Sequence, residues 1–151
     1  MTTMTATQGL PASGKTTWAR AQVLAAPPGS LVRFNRDETR QMLHCAALYL
    51  PVTEKQVTVV QHGAVEAMLR YGADVLVDDT NLDPEHLGQL VAIAHRAGAE
   101  VRIQSFVDVS LEECVRRDRV REDSVGAAII HAMHERYVAT GEYRNVPSMA
   151  W

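Results

Sequence analysis

A chain of 151 residues suits one domain around one core. Its 46% hydrophobic and 22% charged content is that of an ordinary globular protein. Its net charge of −3 excludes a global basic field pulling it onto nucleic acid, so any polynucleotide contact must be local. No apolar run approaches a membrane span, and the start MTTMTATQGL has no signal-peptide pattern. Cys45 and Cys114 show neither metal-site spacing nor a disulfide framework, so both read as reduced and structural in a cytoplasmic setting.

In chain order, residues 3–8 are Thr-rich and only weakly apolar. They read as strand because they lead directly into GLPASGKT (9–16), a glycine-rich loop. A helix runs from about Lys15 to Ala26, ended by Pro27-Pro28-Gly29. LVRF (31–34) reads as a second strand and 37–50 as a helix ended by Pro51. Thr53-Glu54-Lys55-Gln56 has the form of a capping box, with Val57, Val60, Ala64, Met68 and Tyr71 next at helical spacing until Gly72. DVLVD (74–78) is a third strand. Asp83-Pro84 opens a helix to about Ala97, and VRIQSFV (101–107) is a fourth strand. Ser110-Leu111-Glu112-Glu113 is a second capping box, and a last helix covers about 126–139. The tail after Gly141 reads as irregular.

Strands alternating with helices predict an α/β fold, a parallel sheet covered on both faces with ligands at the carboxyl ends of the strands. The residues just past each strand are therefore the candidates. The GxxxxGKT loop offers inward-pointing backbone N–H groups and a helix N-terminus to phosphates. Lys15 reaches the β- and γ-phosphates, and Thr16 offers a hydroxyl to Mg²⁺. NRDETR (35–40) comes just after the second strand. Asp37 could accept a proton from an attacking hydroxyl, or could simply cap its helix. Arg40, one turn on, could grip an acceptor phosphate. DDTN (78–81) ends the third strand, where an acid can support Mg²⁺ or a turn can simply form. After Ser110, Arg117 and Arg121 share one helix face by spacing, and Arg116 and Arg119 another. Either pair could close over a nucleotide, or form a solvated basic face. His131 and His134 lack a third ligand nearby and read as helix surface or core.

Taken in order, these blocks resemble the kinase domain of phage-type polynucleotide 5′-hydroxyl kinases, from about Thr7 to Tyr137. The loop with TTWAR (16–20) is similar to that family's GxPGSGKSTWAR, with Ala12 replacing a glycine. NRDETR is similar to its NRDxxR, DTNLDPE (79–85) to its DTNLNPE, and FVDVSLEECVRR (106–117) to the segment entering its lid. The resemblance implies a P-loop kinase fold with a four-stranded parallel sheet and a helical lid at about 115–126, in one domain over 1–151. It implies donor binding of ATP or another NTP by Gly9, Ser13, Gly14, Lys15, Thr16, Thr17, Arg117 and Arg121, with Mg²⁺ on Thr16. It makes Asp37 the general base on the 5′-hydroxyl of a DNA or RNA end and places Arg40 on the acceptor phosphate. It pairs Asp79 with that arginine, and counts Lys15 and Arg121 among the catalytic groups. The expected location is the cytoplasm, that of the host if phage-encoded, with no membrane partner and room for a homo-oligomer. Phage enzymes of this type are often fused to a C-terminal phosphatase domain, and nothing after Trp151 supplies one, so a kinase alone is expected. A small-metabolite or nucleoside kinase shares the loop, as does a nucleotide-binding module that transfers nothing to a polynucleotide.

Overall fold

The computed structural model of the chain describes residues 1–147. Four parallel strands form its sheet: β1 (Thr3–Gln8), β2 (Leu31–Phe34), β3 (Asp74–Val77) and β4 (Glu100–Ser105), in the order β2-β3-β1-β4. In register, Thr5 sits between Leu76 and Arg102, and Phe34 lies beside Val77. The helices are α1 (Lys15–Ala25), α2 (Arg36–His44), α3 (Pro51–Tyr71), α4 (Pro84–Arg96), α5 (Leu111–Asp118) and α6 (Ala127–Met133).

Strand alternation explains the two-sided burial. Val75 and Val77 join Met4 and Ala6 in a core with Val65 and Leu69 of α3 and Leu87, Leu90, Val91 and Ala94 of α4. Leu76, between the two valines, turns to the opposite face, and Ala19 of α1 is likewise buried. A second core holds α5 and α6 on the loops beyond the strands, through Leu10, Leu82, Cys114, Val115 and Ile130. It is this smaller core that carries the 110–133 segment over the strand ends.

Several expectations need correction. The helix predicted over 37–50 ends at His44, because Cys45 turns into the left-handed region at φ 53 while its N–H still bonds to the Gln41 carbonyl. Cys45 is exposed there rather than structural, whereas Cys114 is buried. Pro51 does not close a helix but opens α3 at its first position, where its missing N–H costs nothing. Thr53 therefore lies inside α3, its hydroxyl accepting the Leu50 N–H at 3.1 Å, instead of capping a later start. The tail past Gly141 is also not irregular throughout: Glu142–Arg144 make a 3₁₀ turn and Val146 enters the main core. Pro147 packs so closely on Gly88 that a Cβ there would come within 2.9 Å of its ring, and residues 148–151 lie outside the described residues. The predicted helix over 126–139 is α6 continued by a π-helical turn, His134–Val138.

Candidate active site

The loop between β1 and α1 owes its shape to its glycines. A Cβ on Gly9 would lie 2.9 Å from the Phe106 Cβ and 3.0 Å from the Ser13 Oγ, so only glycine lets the loop pass. Gly14 stands at φ 100 and starts α1. Ala12 also adopts a left-handed conformation, φ 61, which costs an L-residue about 1–2 kcal/mol. The first turn of α1 holds no acidic residue, while those of α2, α3, α4 and α5 all do. Its positive end is thus left for an anion. Lys15 is buried, its Nζ donating to the Leu10 carbonyl at 2.6 Å and the Ser13 hydroxyl at 3.3 Å. Burial lowers its pKa to about 8, against the opposing pull of Asp78. Thr17 is exposed.

Beside the loop, the end of β3 supplies two carboxylates with separate duties. Asp78 is buried: one oxygen accepts the Thr16 hydroxyl at 3.2 Å and the other the Arg33 guanidinium at 2.5 Å. Two hard oxygen donors thus stand together beside a phosphate loop, a donor set that fits Mg²⁺. Asp78 is not among the residues that the family resemblance assigns to the site. Its place directly at the strand end marks it, but the shared motif points to Asp79 instead. Asp79 accepts the Arg36 backbone N–H at 2.8 Å and the Gln61 amide at 2.6 Å, and burial pushes its pKa up to about 6. The structure does not bring Asp79 to Arg40. Asp79 ties the end of β3 to the start of α2 and to the middle of α3.

The cap of α2 is Asn35, whose side chain accepts the Glu38 N–H at 3.0 Å and donates to the Asp78 carbonyl at 2.6 Å. Asp37 is therefore not the cap. Its side chain is 75% exposed and accepts from Arg40 Nη1 at 2.5 Å. Arg40 is buried and receives its main support from Glu54 of α3, through contacts of 2.5 and 2.8 Å. Glu54 also takes Arg36 at 3.0 Å, and its two arginines, Arg40 foremost, hold its pKa down at about 2. No sequence pattern announces the Glu54–Arg40 pair, since α2 and α3 meet only through tertiary packing.

Among the arginines, Arg117 reaches the loop: a Cβ on Gly14 would lie 3.8 Å from its Nη1. Its Nε donates to Glu113 at 2.7 Å. Arg121 does not share a helix face with it, because α5 stops at Asp118. The buried Asp118 carboxylate explains the stop. It accepts from the Ser124 hydroxyl and the backbone N–H groups of Val125 and Gly126, folding 119–126 back on itself. Arg121, paired with Asp123 at 2.8 Å, still acts on Lys15 as a nearby positive charge. Arg116 and Arg119 point elsewhere, lining a shallow cleft with Leu111 and His131. No group of three or more His, Cys, Asp or Glu that could hold a metal is present among the described residues. No described helix is long and apolar enough to cross a membrane.

The arrangement can seat a polyphosphate on the loop and α1, hold a divalent cation at Thr16 and Asp78, and present a carboxylate–guanidinium pair from α2. Comparison with known proteins agrees with the phosphate loop. The chain has the fold of a P-loop kinase, a nucleotide-binding phosphotransferase scaffold. A chain of the Pnkp1/Rnl/Hen1 RNA repair complex matches with a TM-score of 0.75 at 26% identity, over 93% of this chain and 45% of that one. A second Pnkp1/Rnl/Hen1 structure matches at 0.70 and 28%, over 82% and 40%. This chain thus spans less than half the length of either. At fold level alone it is similar to Kti12 of Chaetomium thermophilum, in complex with ADP-AlF3, at a TM-score of 0.65 and 21% identity over 89% and 79% of the two chains. It is similar in the same way to the APS kinase CysC of Mycobacterium tuberculosis, in complex with AMPPNP and APS, at 0.62 and 19% over 79% and 69%. With the profile of the AAA domain matching residues 4–140, the chain belongs to the AAA domain family.

Proposed function

We propose that this chain is a polynucleotide 5′-hydroxyl kinase domain, moving the γ-phosphate of ATP or another NTP to the 5′-hydroxyl of a DNA or RNA end. The observation that carries the reading is the Asp37–Arg40 pair. An exposed carboxylate is held at 2.5 Å by a buried guanidinium, on the helix that starts directly past the carboxyl end of β2. The matches to RNA repair complexes support a nucleic-acid acceptor.

Asp37 takes the proton of the acceptor 5′-hydroxyl as its oxygen bonds to the γ-phosphorus. The bond from that phosphorus to the β–γ bridging oxygen breaks, and the nucleoside diphosphate leaves with the electron pair. Lys15, the loop N–H groups and the α1 N-terminus hold the donor phosphates, and Arg117 and Arg121 add positive charge above them. Mg²⁺, when bound at Thr16 and Asp78, supplies charge neutralisation on the phosphate oxygens. Arg40 has five N–H groups, of which three are committed to Glu54 and Asp37. One N–H on each terminal nitrogen remains for an acceptor phosphate.

Acceptor kinetics test this. Wild type should phosphorylate a nucleoside 3′-phosphate or oligonucleotide far better than the bare nucleoside. Asp37→Asn should collapse turnover, by at least about a hundredfold, with donor affinity little changed. Arg40→Ala should erase the preference for the 3′-phosphate. A wild type indifferent to that phosphate, and unchanged by Arg40→Ala, would replace this reading with a small-metabolite kinase. Nucleotide binding without transfer to any of these acceptors would leave only a binding module.

A further inference from the structure

The segment between α2 and α3 is apolar and stands in solvent. Leu48, Tyr49 and Leu50 are exposed, as are Met42 and Leu43 before them and Val52 after them. Within it, Tyr49 has a defined place: the Arg40 guanidinium lies over its ring, 4.6 Å from the centroid. With one face covered in this way, the 63% exposure of Tyr49 belongs to its other face and edge. Arg40 in turn touches Asp37. The Tyr49 ring thus meets the guanidinium with one face and solvent with the other, one residue removed from the carboxylate.

Charge shows why such a face is needed. At this corner Arg36 and Arg40 are offset by Asp37 and Glu54, so it carries no formal excess of positive charge. The whole chain is at −3. The electrostatic attraction that usually supplies polynucleotide affinity is therefore weak here, and another source must hold the acceptor. Bases stack on aromatic rings irrespective of sequence, and such a platform works without net charge. Arg40 and Tyr49 are in contact, so a nucleotide whose phosphate meets Arg40 has the Tyr49 ring as its aromatic neighbour.

We infer that Tyr49 is the stacking platform for the terminal nucleobase of the acceptor, with Leu48 and Leu50 as its apolar rim, an assignment that rests on the kinase reading above. Tyr49 then positions the 5′-end without touching the reacting atoms. Its contribution appears in acceptor KM and not in kcat.

The test compares two 5′-hydroxyl oligonucleotides that differ only in whether the terminal residue bears a base or is abasic. Wild type should show a KM lower by about tenfold for the base-bearing end. Tyr49→Ala should raise that KM to the abasic value, leave the abasic KM and both kcat values within about twofold, and leave thermal stability unchanged. Tyr49→Trp should restore the difference. If Tyr49→Ala raises KM for both acceptors equally, Tyr49 only braces Arg40, whose phosphate contact the two acceptors share, and the inference fails. It fails also if Tyr49→Ala lowers the sedimentation mass and shifts both acceptors together, which would make the segment a contact between copies of the chain. Should wild type phosphorylate neither oligonucleotide, the kinase reading itself falls.

Discussion

The phosphate loop and the α2–α3 corner both follow the carboxyl ends of strands of one sheet but are made of different material. At the loop, the groups on offer to a phosphate are backbone N–H donors, one helix end and one lysine, all within a single run of eight residues, Gly9–Thr16. At the corner the groups brought together are side chains from two helices and their link: Asp37 and Arg40 from α2, Glu54 from α3, and Tyr49 from the segment between them. A site made of backbone is specified locally, so its residue types and spacing are written consecutively. A site made of side chains depends on how helices pack, and its partners are far apart in sequence. The first kind tolerates few residue changes at fixed points. The second can lose any one partner and leave the others without support.

Lys15 gives the largest expected effect on that contrast, because it is the one charged side chain in the run Gly9–Thr16. Lys15→Ala should reduce phosphoryl transfer by at least about a hundredfold, with thermal stability kept. Near-normal turnover in the folded variant would break the comparison at its root. Lys15 also offers a sharper measurement. Its pKa in the free protein is about 8, lowered by burial from the ordinary 10.5. Donor phosphates favour the ammonium and so raise that pKa. Binding therefore takes up protons as pH rises past about 8, and affinity falls as pH climbs above that value. Calorimetric titration of nucleotide in two buffers of different ionisation heat reads the uptake, which Lys15→Ala should abolish.

The arginines come next in size. Arg117 reaches Gly14, whereas Arg116 lines the cleft near His131 and is 70% exposed. Arg117→Ala should raise KM for ATP about tenfold and leave acceptor KM near its wild-type value, while Arg116→Ala should change each less than about twofold. Sensitivity at Arg116 in place of Arg117 would show that the 110–126 segment meets the donor in another register.

Legibility in the sequence divides along the same line. The last three strands, the loop, Asp83 as the cap of α4 and Ser110 as the cap of α5 are local patterns, and the structure repeats them, while β1 is legible only from its place before the loop. The errors fall where tertiary contacts decide. Apolar residues from Met42 to Leu50 suggest a continuing helix, yet that surface is exposed and the helix has already ended at the left-handed Cys45. Spacing puts Arg121 on the face of Arg117, but the Asp118 carboxylate gathers backbone N–H groups from seven and eight residues ahead and ends the helix first. Likeness to a known motif pairs Asp79 with Arg40, whereas packing of α3 on α2 gives Arg40 to Glu54 and Asp79 to Gln61. Arg33, which fixes Asp78, sits mid-strand and carries no local mark of its role.

The smallest expected effect asks whether the loop is set by backbone in the strict sense. Ala12 is held at φ 61, where an L-residue is strained by about 1–2 kcal/mol, while Ala26 at the end of α1 has φ −77 and no such strain. Glycine in either place makes the unfolded chain more flexible, a cost of about 0.5–1 kcal/mol. At Ala12 the relieved strain exceeds that cost, so Ala12→Gly should stabilise the protein by about 0.5–1 kcal/mol and raise Tm by about 2 °C. At Ala26 only the cost remains, and Ala26→Gly should lower Tm by a similar amount. Thermal unfolding of the two variants beside wild type reads both signs. Equal destabilisation by the two would mean that Ala12 is not strained, and that the loop owes its conformation to side-chain contacts as the α2–α3 corner does.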